Sequence, residues 1–116
     1  MALKGARILI LGLTFKENCP DLRNTRVIEI IEELQGYGAV VDVHDPWVEA
    51  DEAKREYGIA VVESPEKSAY DAIILAVAHQ QFAEAGIDLL RSYAHSGSVL
   101  YDVKHLFAAH EVDGRL

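Results

Sequence analysis

The stretch Ala6-Arg7-Ile8-Leu9-Ile10-Leu11-Gly12 decides the fold. An apolar run this short, closed by glycine, reads as a strand buried on both faces; a half-exposed strand would alternate apolar with polar residues. Downstream, Val27, Ile28, Ile31 and Leu34 fall at helical spacing between Asn24 and Gly38. Asn24 or Thr25 is the expected N-cap there, and Gly36 or Gly38 the stop. Ala39 to Val43 reads as a second strand, Val48 to Tyr57 as a charged helix ended by Gly58, and Ile59 to Val62 as a short third strand. Asp71 to Val77 is the fourth and most apolar strand. Gln80 to Ala94 reads as one helix, with Phe82, Ile87, Leu90 and Tyr93 inward, and Ser98 to Val103 as the fifth strand. Residues 108–116 carry little pattern and read as a frayed tail.

Apolar strands alternating with helices predict a parallel sheet covered on both faces, joined by right-handed crossovers. The expected fold class is therefore α/β: a Rossmann-like, doubly wound, five-stranded parallel sheet in three layers, with order 3-2-1-4-5. The winding then reverses between the first and fourth strands. Ligands of open α/β sheets sit at such a reversal, outside the carboxyl ends of the strands. The segments Gly12 to Arg23 and Ala78 to Phe82 belong to that edge, as does Lys104 beyond the fifth strand.

At 116 residues, half of them hydrophobic, the chain is one domain with enough apolar material for a core. A single cysteine, Cys19, cannot staple a fold. No apolar run reaches the roughly 18–20 residues of a membrane span, and the opening seven residues are too short for a signal peptide; the expected compartment is the cytoplasm. The net charge of −8 disfavours nucleic acid as a partner. It leaves room for a small phosphorylated ligand held by a few local cations.

The loop after the first strand supplies such cations. It reads Gly12-Leu13-Thr14-Phe15-Lys16-Glu17-Asn18-Cys19-Pro20-Asp21-Leu22-Arg23-Asn24-Thr25. One glycine is too few for a dinucleotide fingerprint, and the string is no Walker A loop. It does combine an aromatic face (Phe15), two cations (Lys16, Arg23), an amide (Asn18) and a helix start, where backbone N–H groups favour an anion. Phe15 can stack on a base while Lys16 meets phosphate. Ordinary solvation and turn chemistry account for the same residue types, and both readings stand at this point.

The same loop closely resembles the opening of the C-terminal, UDP-binding domain of the UDP-glucose/GDP-mannose dehydrogenase family, whose pattern is roughly G-x-x-F-K-x-x-x-x-D-x-R-x-S/T. His44-Asp45-Pro46, Asp71 to Phe82 and Tyr101-Asp102-Val103-Lys104 follow in the family's order and spacing, so the resemblance covers residues 5–107. The Glu-Asn-Cys-Pro-Asp version is similar to the branch that oxidises UDP-N-acetylhexosamines to uronic acids for bacterial surface polysaccharides. The resemblance implies that Phe15 and Lys16 contact the uridine and phosphate end of a UDP-sugar, and that Arg23 stands at the interdomain cleft near the cofactor. Lys104 stands where many members carry arginine, which weakens any bidentate phosphate contact there. An N-terminal domain binding NAD and a central helix would complete the parent, a dimer or larger. The family's catalytic cysteine, catalytic lysine and NAD fingerprint match nothing in this sequence. The expectation is a UDP-sugar-binding domain spanning 1–116, excised from an NAD-dependent UDP-N-acetylhexosamine 6-dehydrogenase, with no catalytic residue of its own and inactive alone. The alternative is a stand-alone regulatory or scaffold module that binds a nucleotide without chemistry.

Other candidates are weaker. Cys19 as a nucleophile lacks a base beside it in sequence. The five histidines show no metal-ligand spacing. His79 reads as the cap of the helix that begins there. Asp45 could grip ribose hydroxyls, but Asp45-Pro46-Trp47 reads first as a turn. Asp42-Val43-His44 resembles a cobalamin D-x-H motif, yet Trp47 occupies its glycine position. A phosphoacceptor receiver domain would need acidic residues where Gly12-Leu13-Thr14 and Glu63-Ser64-Pro65 stand.

Overall fold

The computed structural model describes residues 3–14, 17–18, 22, 25–103 and 106–115. β1 (Arg7–Leu11) is followed by α1 (Val27–Gly36), β2 (Val40–His44), α2 (Ala50–Tyr57), β3 (Tyr70–Leu75), α3 (Gln80–Ala85), α4 (Ile87–Arg91), β4 (Ala94–Asp102), a 3-10 turn (Ala109–Glu111) and β5 (Gly114–Arg115). All pairings are parallel, in the order β2-β1-β3-β4-β5. No helix among the described residues is long and apolar enough to cross a membrane.

β1 is an inner strand between β2 and β3, and its alternating side chains divide between two cores. Ile8 and Ile10 pack with Val27 and Ile31 of α1, Ala53 of α2 and Val43 of β2. Leu9 and Leu11 pack on the other face with Ile73, Leu75, Phe82, Leu90 and Leu100. All four β1 side chains are buried. The uninterrupted apolar run is thus the signature of a strand covered on both sides, and the three-layer doubly wound architecture follows.

The predicted third strand shrinks to a single bridge, Val43 to Val61, beside β2. The Ile59 N–H bonds Ala53 O at the end of α2, while the Val62 N–H, 2.7 Å from Val43 O, pairs across. Pro65, three residues on, has no N–H to extend a ladder. The predicted fourth and fifth strands become β3 and β4, and in those terms the order 3-2-1-4-5 holds. The fifth true strand is the two-residue β5 at the opposite edge. It lies in the segment expected to fray. Asp113 holds that segment down: its Oδ2 accepts the Leu100 N–H at 2.7 Å and faces Arg91 at 3.2 Å.

Gly86 breaks the helix expected over 80–94. Its φ of 84° ends α3 and starts α4, and β4 begins at Ala94 with a register shift opposite Tyr70 and Ala72. α1 begins at Val27 rather than at its expected cap. Thr25 still serves the start: its Oγ1 accepts the Val27 N–H at 3.2 Å while donating to Leu13 O at 2.6 Å. Asn24 lies outside the described residues.

The chain runs from β1 outward to β2, then returns across β1 to β3. The reversal leaves the carboxyl ends of β1 and β3 side by side. At that point Gly12 turns the chain with φ 101°, and a Cβ there would stand 2.6 Å from Val77 Cβ. Only glycine lets the loop leave β1 pressed this closely against the end of β3.

Candidate functional site

The carboxyl edge is built around two buried polar side chains that no local pattern connects. Asp45 follows β2 and His79 precedes α3, and both are buried. They meet over the end of β1, with His79 Nε2 at 2.8 Å from Asp45 Oδ2. The same Oδ2 accepts the Leu13 N–H at 2.7 Å and the Thr14 N–H at 3.2 Å. Oδ1 accepts the Trp47 N–H at 2.8 Å, closing the turn expected at Asp45-Pro46-Trp47. Burial pushes the Asp45 carboxyl up, but hydrogen bonds from His79 and from the Leu13 and Trp47 amides outweigh it and hold it below its ordinary value. The residue is a carboxylate fully engaged inside the protein, so the ribose-gripping alternative finds no free oxygen.

His79 uses both ring nitrogens. Nδ1 accepts the Asn18 N–H at 2.9 Å, so the proton of the neutral ring sits on Nε2, directed at Asp45 and within 3.1 Å of Thr14 Oγ1. The ring lies between Trp47 and Phe82, with centroids 6.3 and 5.6 Å away. Trp47 is itself tied to α3 through Nε1 and Gln81 Oε1 at 2.9 Å.

His79 occupies the expected N-cap position of α3, but its side chain makes no capping bond: its nitrogens point back to the loop and to β2. The cap comes from Asn18, whose Oδ1 accepts the Gln80 N–H at 2.7 Å. Asn18 sits at φ 57°, a left-handed conformation that asparagine tolerates better than most residues. Sequence reasoning named Asn18, Asp45 and His79 separately and missed that they join. The available signal was topological: the ends of β2 and β3 flank β1, and a histidine directly after the most apolar strand needs a buried partner.

Of the predicted site residues, Phe15, Lys16, Arg23 and Lys104 lie outside the described residues, as do Cys19 and His105. What is described is the frame that carries their loop. Its Leu13, Thr14 and Asn18 amides are all bonded within the protein, and the Val27 amide at the start of α1 is met by Thr25. Those four N–H groups are therefore not open to an anion at this edge. Among the described residues no group of three or more His, Cys, Asp or Glu could hold a metal ion.

Comparison with known proteins agrees with this frame. The family model for the "UDP-glucose/GDP-mannose dehydrogenase family, UDP binding domain" matches residues 9–109. A UDP-N-acetyl-D-glucosamine 6-dehydrogenase of Salmonella typhi is 51% identical over 114 residues, covering 98% of this chain and 27% of that protein. One of Pseudomonas aeruginosa is 54% identical over 112 residues, covering 97% of this chain and 26% of that protein. The chain thus spans about a quarter of the length of these curated relatives. In fold it superposes on a UDP-D-ManNAc dehydrogenase of Pyrococcus horikoshii with TM-score 0.77 at 20% identity, over 99% of this chain and 26% of that one. With its motif loop, its switch-point frame and this match over nearly its whole length, the chain belongs to the UDP-glucose/GDP-mannose dehydrogenase family, as its UDP binding domain.

Proposed function

We propose that this domain grips the UDP half of a UDP-N-acetylhexosamine so that a parent dehydrogenase oxidises the sugar at C6, with NAD as oxidant, toward uronic acids for surface polysaccharide. The observation that carries the reading is the Phe15-Lys16…Asp21…Arg23 loop at the sheet's switch point, with its flanking amides bonded inside the protein. Phe15 stacks on uracil and Lys16 neutralises the diphosphate. Lys104 adds a second, monodentate charge, and Arg23 faces the cleft toward the cofactor. The names of the two bacterial relatives support the N-acetylhexosamine as substrate.

The domain's share of catalysis is positioning. Holding the diphosphate fixes where the distant sugar carbon lies, which replaces a random encounter by a near-attack geometry. NAD, the thiol that carries the intermediate and the dimer contacts belong in this reading to an N-terminal domain and central helix of the parent. This chain alone is then a binding unit without turnover.

The test is a backbone-amide NMR titration of this chain with UDP and, separately, with NAD. The expected result is shifts confined to residues 14–23, 78–82 and 104 with UDP, absent with NAD and weakened at least tenfold in Lys16→Ala. UDP affinity unchanged in Lys16→Ala would overturn the assignment of Lys16. No shift at millimolar UDP, where binding supplies only about 4 kcal/mol, would overturn UDP binding by this chain.

A further inference from the structure

We propose that His79, in its neutral Nε2–H tautomer, is the positioning residue of the substrate loop, acting through the Asn18 backbone. The inference rests on the reading that this loop holds the diphosphate.

The loop is fastened at two points. Thr14 is tied by its N–H to Asp45, and Asn18 by its N–H to His79 Nδ1. Phe15 and Lys16 stand between these points in the sequence. Fastening a short segment at both ends reduces the conformational entropy that ligand binding must still remove. The second fastening is reciprocal. Asn18 donates its N–H to the His79 ring and accepts the Gln80 N–H on its own Oδ1, at 2.9 and 2.7 Å. The left-handed φ of 57° at Asn18 is what lets one residue face the His79–Gln80 corner with both groups.

The arrangement demands one tautomer. With the proton on Nε2, the ring donates to Asp45 and accepts from Asn18. Moving it to Nδ1 sets two N–H groups against each other at Asn18 and leaves the Asp45 carboxylate facing a bare nitrogen. Asp45 is the charged group that meets the ring among the described residues; it selects Nε2–H and thereby presents Nδ1 to the loop. His79 touches neither face of the ligand in this account. It transmits the order of the buried Asp45 to the exposed loop.

The test uses this chain labelled with nitrogen-15, and two substitutions that divide the histidine's roles. In His79→Gln, the side-chain amide N–H reaches the Nε2 position and keeps Asp45 bonded, but the acceptor for Asn18 is gone. In His79→Asn, a carbonyl oxygen stands near the Nδ1 position and restores that acceptor. The wild type is expected to show one protonated ring nitrogen, Nε2, and slow hydrogen exchange at the Asn18 amide. In His79→Gln, exchange at Asn18 should quicken at least tenfold and UDP affinity fall at least fivefold, while His79→Asn recovers most of both. An Nδ1–H tautomer in the wild type overturns the proposal. So does wild-type UDP affinity in folded His79→Gln. If the wild type itself binds no UDP, the ligand reading fails. The anchor is then judged on the wild-type tautomer and the Asn18 amide, where Nε2–H with slow exchange supports it and either alternative overturns it.

Discussion

The imidazole of His79 and the carboxylate of Asp45 are separated by 2.8 Å across the end of β1, although they stand 34 positions apart in sequence. Each ends a strand or opens a helix beside β1, and the loop amides of Leu13 and Thr14 close the network over them. The pair ties down Thr14 and Asn18, two residues of the stretch that carries the family motif.

Asp45→Ala should be among the most damaging single changes in the chain. It strands the Leu13, Thr14 and Trp47 N–H donors and the His79 Nε2–H, and each buried donor left unsatisfied costs about 1–3 kcal/mol. Urea denaturation against wild type measures the loss. The pH dependence has a definite sign. A carboxyl held below its ordinary value stabilises the fold above that ordinary value, 3.8, and loses this contribution as pH falls through the folded value. Acid unfolding of Asp45→Asn should therefore be less steep than that of the wild type.

Gly12→Ala should destabilise the fold by about 2–4 kcal/mol, through a positive φ and overpacking together. The added methyl would press on Val77, 2.6 Å away. Thermal unfolding checks this. A Tm within a degree of wild type would show that the loop can leave β1 by another path.

At the opposite, amino edge of the sheet, His95 Nε2 pairs with Asp71. The Asp71 carboxylate, together with the Ser96 carbonyl, raises the His95 pKa, and the bond from His95, followed by that from the Arg7 amide, lowers that of Asp71. A raised histidine stabilises fully below its ordinary value of 6.5, and that contribution is lost as pH rises through the folded value. The Asp71 contribution is present above 3.8 and lost as pH falls through its folded value. Stability should then decline gently from mildly acidic pH into the alkaline range. His95→Ala should flatten that decline in denaturation midpoints measured at a series of pH values.

Tyr70 is buried, and its hydroxyl donates to Asp42 Oδ2 at 2.6 Å, with the Arg7 guanidinium 5.0 Å from its ring centre. Burial, then the Asp42 bond, raise its pKa. Tyr70→Phe keeps the packing and removes one bond to a charged acceptor, for a loss of about 1.5–3 kcal/mol in chemical denaturation. The phenol should also stay un-ionised in an ultraviolet titration carried to pH values at which exposed tyrosines have ionised.

Residues 6–12 alone were enough to place a strand buried on both faces, because burial on two sides leaves no position for a polar residue over Ile8 to Leu11. Helical spacing over Val27 to Leu34, and the apolar run ending at Val77, then determined the doubly wound order and the crevice at its reversal. The motif loop was legible for the same reason: residue types and spacing are local properties. The break at Gly86 hid inside a helical pattern, since glycine within a helix is costly but tolerated and only its φ of 84° shows the split. Tertiary structure decided the rest. The third strand dwindled to the single Val43–Val61 bridge, and the tail became β5, held where Asp113 meets Leu100 and Arg91. From the N-cap position of α3, the His79 side chain took Asp45 and Asn18 as partners rather than the helix end. In each case a polar group had several possible partners along the chain. Which one it took depended on distances across the folded sheet, and sequence periodicity does not encode those distances.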